Sequence, residues 1–326
     1  MQGLPYMLGP ECLTTLYSDS AIKLIERHFN LVTLKDVMGN SDLAQKIEAI
    51  CIFYWEPRVT KDLLESLPKL KTVASAGVGV DHLDLPLLWS HGVSVSYTPD
   101  VVSAPTADMA MALLLASARN LVDGVSLTKS QRFTAKDRSF VGVDVDGATL
   151  GILGMGRVGR LVAERARGFR MDILYHNRTR RPLDEETGLG AVYCQKLEEL
   201  LEKCDFLMVT VTLNAESIKM IGRRELKLMK TNATIINVAR GKVIDQEALV
   251  EALQNKWIRA AALDVTDPEP LPRDHPLLQL PNVIVTPHLG VDTEGARRAI
   301  VEAVVENALA GVQDRAIPCE LSPRRA

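Results

Sequence analysis

The stretch Thr149-Leu150-Gly151-Ile152-Leu153-Gly154-Met155-Gly156-Arg157-Val158-Gly159 decides the fold. Its first five residues read as a buried strand, and Val162, Ala163 and Ala166 then fall on one face of a helix, so the G-x-G-x-x-G pattern sits between strand and helix. There Gly154 makes the tight turn, Gly156 lets backbone approach a pyrophosphate, and Gly159 lets helix pack on strand. The helix start at Arg157 and Val158 adds unpaired N–H groups and positive partial charge. The pattern predicts a dinucleotide-binding α/β unit; the alternative is a set of glycines that only shape a tight turn.

The next strand, 171–175, runs into His176-Asn177-Arg178-Thr179-Arg180-Arg181. Folds that bind NAD place an Asp or Glu at this point to accept from the ribose hydroxyls. Here Asn177 holds that position and Arg178, Arg180 and Arg181 surround Thr179. Each guanidinium can give a 2′-phosphate charge-assisted hydrogen bonds of about 1.5–3 kcal/mol, so the expected cofactor is NADP(H). The alternative is a solvated basic turn paired with Asp184, Glu185 and Glu186.

Outward from this centre, 326 residues with 47% apolar content predict a sizeable core and two domains. The net charge of -3 carries no long run of one sign, and aromatics make up 5%, so neither a nucleic-acid footprint nor a base-stacking surface is expected. The substrate is expected to be small. Five cysteines, at 12, 51, 194, 204 and 319, show no C-x-x-C pairing and leave one over, which fits a reducing, cytoplasmic compartment. The apolar run 109–118 is too short to span a bilayer, and no secretory leader is recognisable, so no membrane partner is expected.

Short apolar runs alternate with helical patterns throughout, the signature of parallel α/β sheets. Strands are expected at 49–54, 72–75 and 93–96, a break at 98–100, and a helix over 105–119. A polar stretch, 123–147, leads to strands at 149–153, 171–175, 206–211, 234–238, 260–264 and 283–286. A last helix bears Ala296, Ile300, Val304 and Leu309 on one face and is expected to return to the first domain. The fold class is thus two doubly wound parallel-sheet domains. A Rossmann-type cofactor domain, 101–291, is inserted in a discontinuous flavodoxin-like substrate domain, 1–100 and 292–326.

Reducing a 2-keto acid needs a group for the carboxylate, a proton donor for the carbonyl oxygen, and something to orient that donor. Arg240 in Asn237-Val238-Ala239-Arg240-Gly241, Glu269 in Asp267-Pro268-Glu269-Pro270 and His288 in Thr286-Pro287-His288-Leu289-Gly290 supply these chemistries. Each follows a predicted strand, where open α/β sheets put their sites. His28, His82, His91 and His275 belong to no such motif, and no metal-ligand spacing is present.

With Ala76-Gly77-Val78-Gly79-Val80-Asp81, these motifs occur in the order found in the D-isomer-specific 2-hydroxyacid dehydrogenase family, which the chain resembles over essentially its full length. It looks most similar to the glyoxylate and hydroxypyruvate reductases, through Leu263-Asp264-Val265-Thr266, Pro268-Glu269-Pro270-Leu271-Pro272 and the arginine-rich loop. The resemblance implies that Arg240 binds the substrate carboxylate and keto oxygen, that His288 is the acid/base, and that Glu269 hydrogen-bonds His288. It also implies that the N–H groups of Val78 and Gly79 bind the carboxylate, and that Asp264 and Gly290 border the nicotinamide. Thr106, Thr212 and Val238 line the same cofactor cleft by this carry-over. Relatives use the segment corresponding to 123–147 as a dimer arm, which implies a homodimer with Phe133 or Phe140 buried by the partner.

Two departures stand out. Val291-Asp292-Thr293 replaces the small residues of many relatives, and 132–145 has no tryptophan where mammalian-type relatives carry one into the partner's pocket. Tyr54 and Trp55 are candidates to line the pocket or the core instead. The expected activity is NADPH-preferring reduction of glyoxylate, hydroxypyruvate or a related small 2-keto acid. The alternatives are a dehydrogenase for a larger, sugar-derived 2-keto acid and a dinucleotide-sensing corepressor-type scaffold. Phosphoglycerate dehydrogenase ranks lower because no regulatory domain follows residue 326.

Overall fold

The computed structural model describes residues 3–130 and 141–322, so Phe133 and Phe140 lie outside the described residues. The chain forms two compact units, Met1–Val102 with Asp292–Ala326, and Ser103–Val291.

In the first unit, strands β1 (Tyr6–Gly9), β2 (Asn30–Thr33), β3 (Ile47–Ile52), β4 (Thr72–Ser75) and β5 (Ser94–Ser96) form a parallel sheet in the order β5-β4-β3-β1-β2. The terminal strand Glu320–Leu321 adds antiparallel to β5. Helix Glu294–Val312 covers β3 and β4. The cap of this helix is Thr293, whose side chain accepts from the Ala296 N–H at 3.1 Å, and Ile300, Val301, Val304 and Ala308 are buried along it. Where a strand through residue 54 was expected, β3 stops at Ile52, because Tyr54 and Trp55 take left-handed backbone (φ 51° and 63°). A ladder cannot continue through that conformation. The expectation also missed β1 and β2, whose four residues are too few to display a period.

The second unit holds β6 (Thr149–Leu153), β7 (Asp172–His176), β8 (Ala191–Tyr193), β9 (Phe206–Val209), β10 (Thr234–Asn237), β11 (Ala260–Leu263) and β12 (Val283–Val285). They lie all-parallel in the order β12-β11-β10-β9-β6-β7-β8. The order reverses at β6, the switch point where such sheets bind ligands. Strands β9 and β11 read as unbroken apolar runs, β10 places Ile235 and Ile236 between Thr234 and Asn237, and all three are buried throughout, as a sheet covered on both faces requires. Alternate residues supply the two cores. Phe206, Met208, Ile236 and Ala262 join one with Val162, Ala163 and Leu114; Leu207, Val209, Ile235 and Ala261 join the other with Leu200, Leu226 and Leu249.

Helix Pro99–Ala118 begins six residues before the expected start, with Pro99 in its first turn, where the fixed φ of proline suits a helix. Its 20 residues are long and apolar enough to cross a membrane by length and composition, but Ala107, Ala110, Met111, Leu113, Leu114 and Ala118 are buried in the core of the second unit. The polar stretch after it contains a further helix, Leu121–Thr128.

Candidate active site

Apart from Thr106, which lies on helix Pro99–Ala118, the residues singled out in the second unit follow the carboxyl ends of its strands. Gly154 leaves β6 with φ 106°, and a Cβ there would lie 2.7 Å from the Val211 nitrogen. At Gly159 a Cβ would sit 2.3 Å from the Gly154 oxygen, so helix and strand touch through glycine. A Cβ on Gly156 would meet nothing within 4 Å. Gly156 is also the N-cap of helix Arg157–Arg167 and provides no side chain to cap its first N–H groups. These residues fit a dinucleotide: the turn is closed where packing demands it and open at the helix start, where a pyrophosphate would be held. Among the described residues no group of three or more His, Cys, Asp and Glu side chains is arranged to hold a metal.

Asn177 follows β7, and its side-chain oxygen accepts the Met155 N–H at 2.6 Å, tying the second strand's end to the glycine turn. The three arginines beyond it are not equivalent. Arg180 pairs through two nitrogens with Glu186 (2.8 and 2.7 Å), and Arg181 pairs with Glu185 (3.0 and 2.9 Å). Arg178 meets only the exposed part of this surface, where its Nη1 is 3.1 Å from Glu216 Oε2 and both side chains are mostly solvated. Thr179 lies exposed between them. Pairing of the basic loop with its glutamates, the alternative in the sequence, thus holds for Arg180 and Arg181.

On the next strand, β9 ends at Val209 instead of 211, because Thr210 turns its hydroxyl onto the Gly154 carbonyl at 2.7 Å. Thr212 follows, its carbonyl accepting the Ser217 hydroxyl at 2.8 Å. After β10, Asn237 folds the turn: it accepts from the Ala239 N–H (3.0 Å) and donates to the Arg240 carbonyl (2.9 Å). Val238 is buried in the core, and the Arg240 guanidinium donates to the Ala239 carbonyl at 2.7 Å.

The strands β11 and β12 carry the remaining groups. Asp264 is buried, and burial pushes its carboxyl up against three hydrogen bonds that favour the ionised form. Those bonds come from the Thr286 hydroxyl (2.6 Å) and the N–H groups of Leu289 and Gly290 (both 2.8 Å). They clamp a turn in which His288 holds φ 58°, a conformation costing a non-glycine residue roughly 1–2 kcal/mol. A Cβ on Gly290 would come within 3.2 Å of Asp264 Oδ2 and 3.5 Å of the Thr106 hydroxyl, so these three residues are close neighbours. His288 Nδ1 is 3.0 Å from Glu269 Oε2, and the other Glu269 oxygen accepts the Thr266 N–H at 2.8 Å. Nδ1 is thus the ring nitrogen that Glu269 holds. Asn237, Thr266 and Thr286 were not singled out from sequence; all three lay inside quoted motifs, and their polarity at or just after strand ends was the available signal.

In the first unit, Val78 and Gly79 follow β4, and Val78 is exposed. Tyr54 donates its hydroxyl to Asp292 Oδ1 at 2.8 Å, and the Arg297 Nε donates to the same oxygen at 3.0 Å. Asp292 therefore has partners in both Tyr54 and Arg297.

A dinucleotide-type sheet here carries at its strand ends an arginine and a paired imidazole and carboxylate, the groups that an oxidoreductase of keto acids requires. The model of the family described as D-isomer specific 2-hydroxyacid dehydrogenase, NAD binding domain, matches residues 111–290, and the chain belongs to that family. The glyoxylate reductase of Thermococcus gammatolerans is 40% identical over 307 residues, 91% of each chain. Among solved structures, a 2-hydroxyacid dehydrogenase from Ketogulonicigenium vulgare matches with TM-score 0.87 at 27% identity, covering 98% of this chain and 99% of that one. The NADPH-dependent glyoxylate/hydroxypyruvate reductase of Sinorhizobium meliloti, in complex with NADP and malonate, matches with TM-score 0.85 at 29% identity, over 98% and 97%. The protein is a dehydrogenase of this family, acting between 2-keto and 2-hydroxy acids.

Proposed function

We propose that the protein is an NADPH-preferring reductase of small 2-keto acids, glyoxylate and hydroxypyruvate, acting in the cytoplasm as a homodimer without nucleic-acid or membrane partners. The observation that carries the reaction is the 3.0 Å contact between His288 Nδ1 and Glu269 Oε2, on a turn that Asp264 locks. Arg240 offers a planar pair of donors to the substrate carboxylate and polarises the keto oxygen. The N–H groups of Val78 and Gly79 bind the same carboxylate, which makes the first unit the substrate domain. NADPH, when bound, supplies the hydride that the carbonyl carbon takes up. His288 gives its Nε2 proton to the carbonyl oxygen, and the Glu269 carboxylate stabilises the imidazolium from which that proton leaves.

Preference for NADPH is supported by Asn177 in place of an acid and by the solvated Arg178, the best placed of the loop's arginines to meet a 2′-phosphate. Thr179, Arg180 and Arg181 border that position, and Gly154, Gly156, Arg157, Val158 and Gly159 cradle the pyrophosphate. Thr106, Thr212, Val238, Asp264 and Gly290 line the nicotinamide end. Association into dimers is supported by Leu121, Val122 and Val125, all exposed on one short helix, and by Val141.

The test is NADPH oxidation measured against a panel of 2-keto acids, including sugar-derived ones, with wild type and His288→Ala. Turnover of glyoxylate and hydroxypyruvate that disappears in His288→Ala is expected. Turnover restricted to larger acids moves the substrate assignment, and none at all returns the chain to a dinucleotide-sensing scaffold.

A further inference from the structure

Gln246 opens helix Gln246–Gln254, and its side-chain amide grips the main chain of Asp267 at both ends. Gln246 Oε1 accepts the Asp267 N–H at 3.1 Å, and Gln246 Nε2 donates to the Asp267 carbonyl at 2.8 Å. This is the hydrogen-bond pattern of a neighbouring strand, supplied by one side chain. It falls on a loop that has few other handles. Pro268 and Pro270 have no N–H to give, and the Thr266 N–H and hydroxyl are used within the loop, on Glu269 Oε1 (2.8 Å) and the Pro268 carbonyl (2.9 Å). Only Pro268 separates Asp267 from Glu269, so displacement of the one carries the other. The loop is also pressed from the Arg240 side, since a Cβ on Gly241 would lie 2.0 Å from the Thr266 carbonyl carbon.

We propose that Gln246 is a positioning residue for proton transfer: its amide fixes Asp267 so that Glu269 is held against His288 Nδ1. The inference rests on the acid–base reading given above. Gln246 touches no reacting group, and a shift of about 1 Å at a catalytic carboxylate is enough to cost on the order of 100-fold in rate.

His288 is faced by Glu269 and by Asp264, which holds the turn. Gln246 is faced by His275, whose Nε2 is 3.2 Å from Gln246 Nε2, and follows the N-cap Asp245. All are retained in the variants that follow, except where Glu269 is itself replaced.

Gln246→Leu removes both bonds to Asp267, and the His275 contact with them, at similar volume, and Gln246→Asn keeps the amide but withdraws it by one methylene. Both should lower kcat for keto-acid reduction 10-fold or more, leave the KM for NADPH unchanged, and bring the fall in rate at high pH to a lower pH. Glu269→Gln should move that fall in the same direction, and Gln246→Leu added to Glu269→Gln should move it no further, because the pair acts through one contact. An unmoved pH profile in both folded Gln246 variants, while Glu269→Gln shifts it, overturns the proposal and leaves Gln246 a helix-start residue. No shift in Glu269→Gln overturns the acid–base reading and the proposal together.

Discussion

Glu186 Oε1 accepts the hydroxyl of Tyr175 at 2.6 Å beneath the loop that carries Asn177 and Arg178. Both side chains are buried, the same carboxylate takes two nitrogens of Arg180, and the Tyr175 oxygen in turn accepts the Arg181 N–H at 2.9 Å. The bonds from Arg180 and then Tyr175 hold the Glu186 carboxyl down to about 2. Burial first, and the Glu186 bond second, push the Tyr175 phenol up to about 12.

A carboxyl depressed in the folded state stabilises the fold above the ordinary glutamate range, about 4.3, and that contribution is lost as pH falls toward the folded value. Glu186→Gln should therefore be less stable than wild type at pH 7, with the gap closing between about pH 4.5 and pH 2. Urea melts over this pH series check it. A gap independent of pH would mean that charge on Glu186 contributes nothing.

Because Arg180 and Arg181 already serve glutamates, the cofactor preference should separate by position. Arg178→Ala should lower NADPH affinity by about 10- to 150-fold, the value of one charge-assisted contact, with NADH little changed. Arg180→Ala should weaken both cofactors and the fold, since it strands Glu186. Asn177→Asp with Arg178→Ala should turn preference toward NADH. The measurement is kcat/KM for both cofactors at one ionic strength. Equal losses for both in Arg178→Ala would reduce the loop to a solvated turn.

Arg240→Lys should raise KM for the keto acid and lower kcat together. A lysine ammonium is a point charge on a flexible stem and cannot reproduce the planar pair of donors, so the carbonyl loses its alignment. Steady-state kinetics with glyoxylate test this, and unchanged constants would assign the carboxylate to another residue.

The apolar side chains of helix Leu121–Thr128 make oligomeric state testable. Leu121 and Val122 are about half exposed. Wild type should sediment as a dimer at micromolar concentration, and Leu121→Asp with Val125→Asp should shift it to monomer. A monomeric wild type contradicts the assembly.

What the sequence revealed and what it hid divide along a physical line. The glycine turn was legible because strand, turn and helix start are local: β6 is an unbroken apolar run, and Gly154 to Gly159 follow it directly. The motifs around Arg240, Glu269 and His288 were legible for the same reason. The bonds that hold them were not, because they join residues far apart in the chain. Asp264 reaches Gly290, and Gln246 reaches Asp267, only once β10, β11 and β12 are laid side by side. The short edge strand β8, three residues with Val192 exposed, gave no period to detect. The helix at Pro99 was read too short because its proline was taken as a break when it stands in the first turn.

The split course of the first unit has a consequence for synthesis. Its sheet strands β1 to β5 leave the ribosome first, yet the helix that covers β3 and β4, Glu294–Val312, emerges only after the whole of Ser103–Val291. The intervening unit is continuous in sequence and able to close on itself while the earlier strands still show an apolar face to solvent. Vectorial folding thus completes the inner unit before the outer one. A ribosome stalled before residue 294 would display a finished nucleotide fold beside an uncovered sheet.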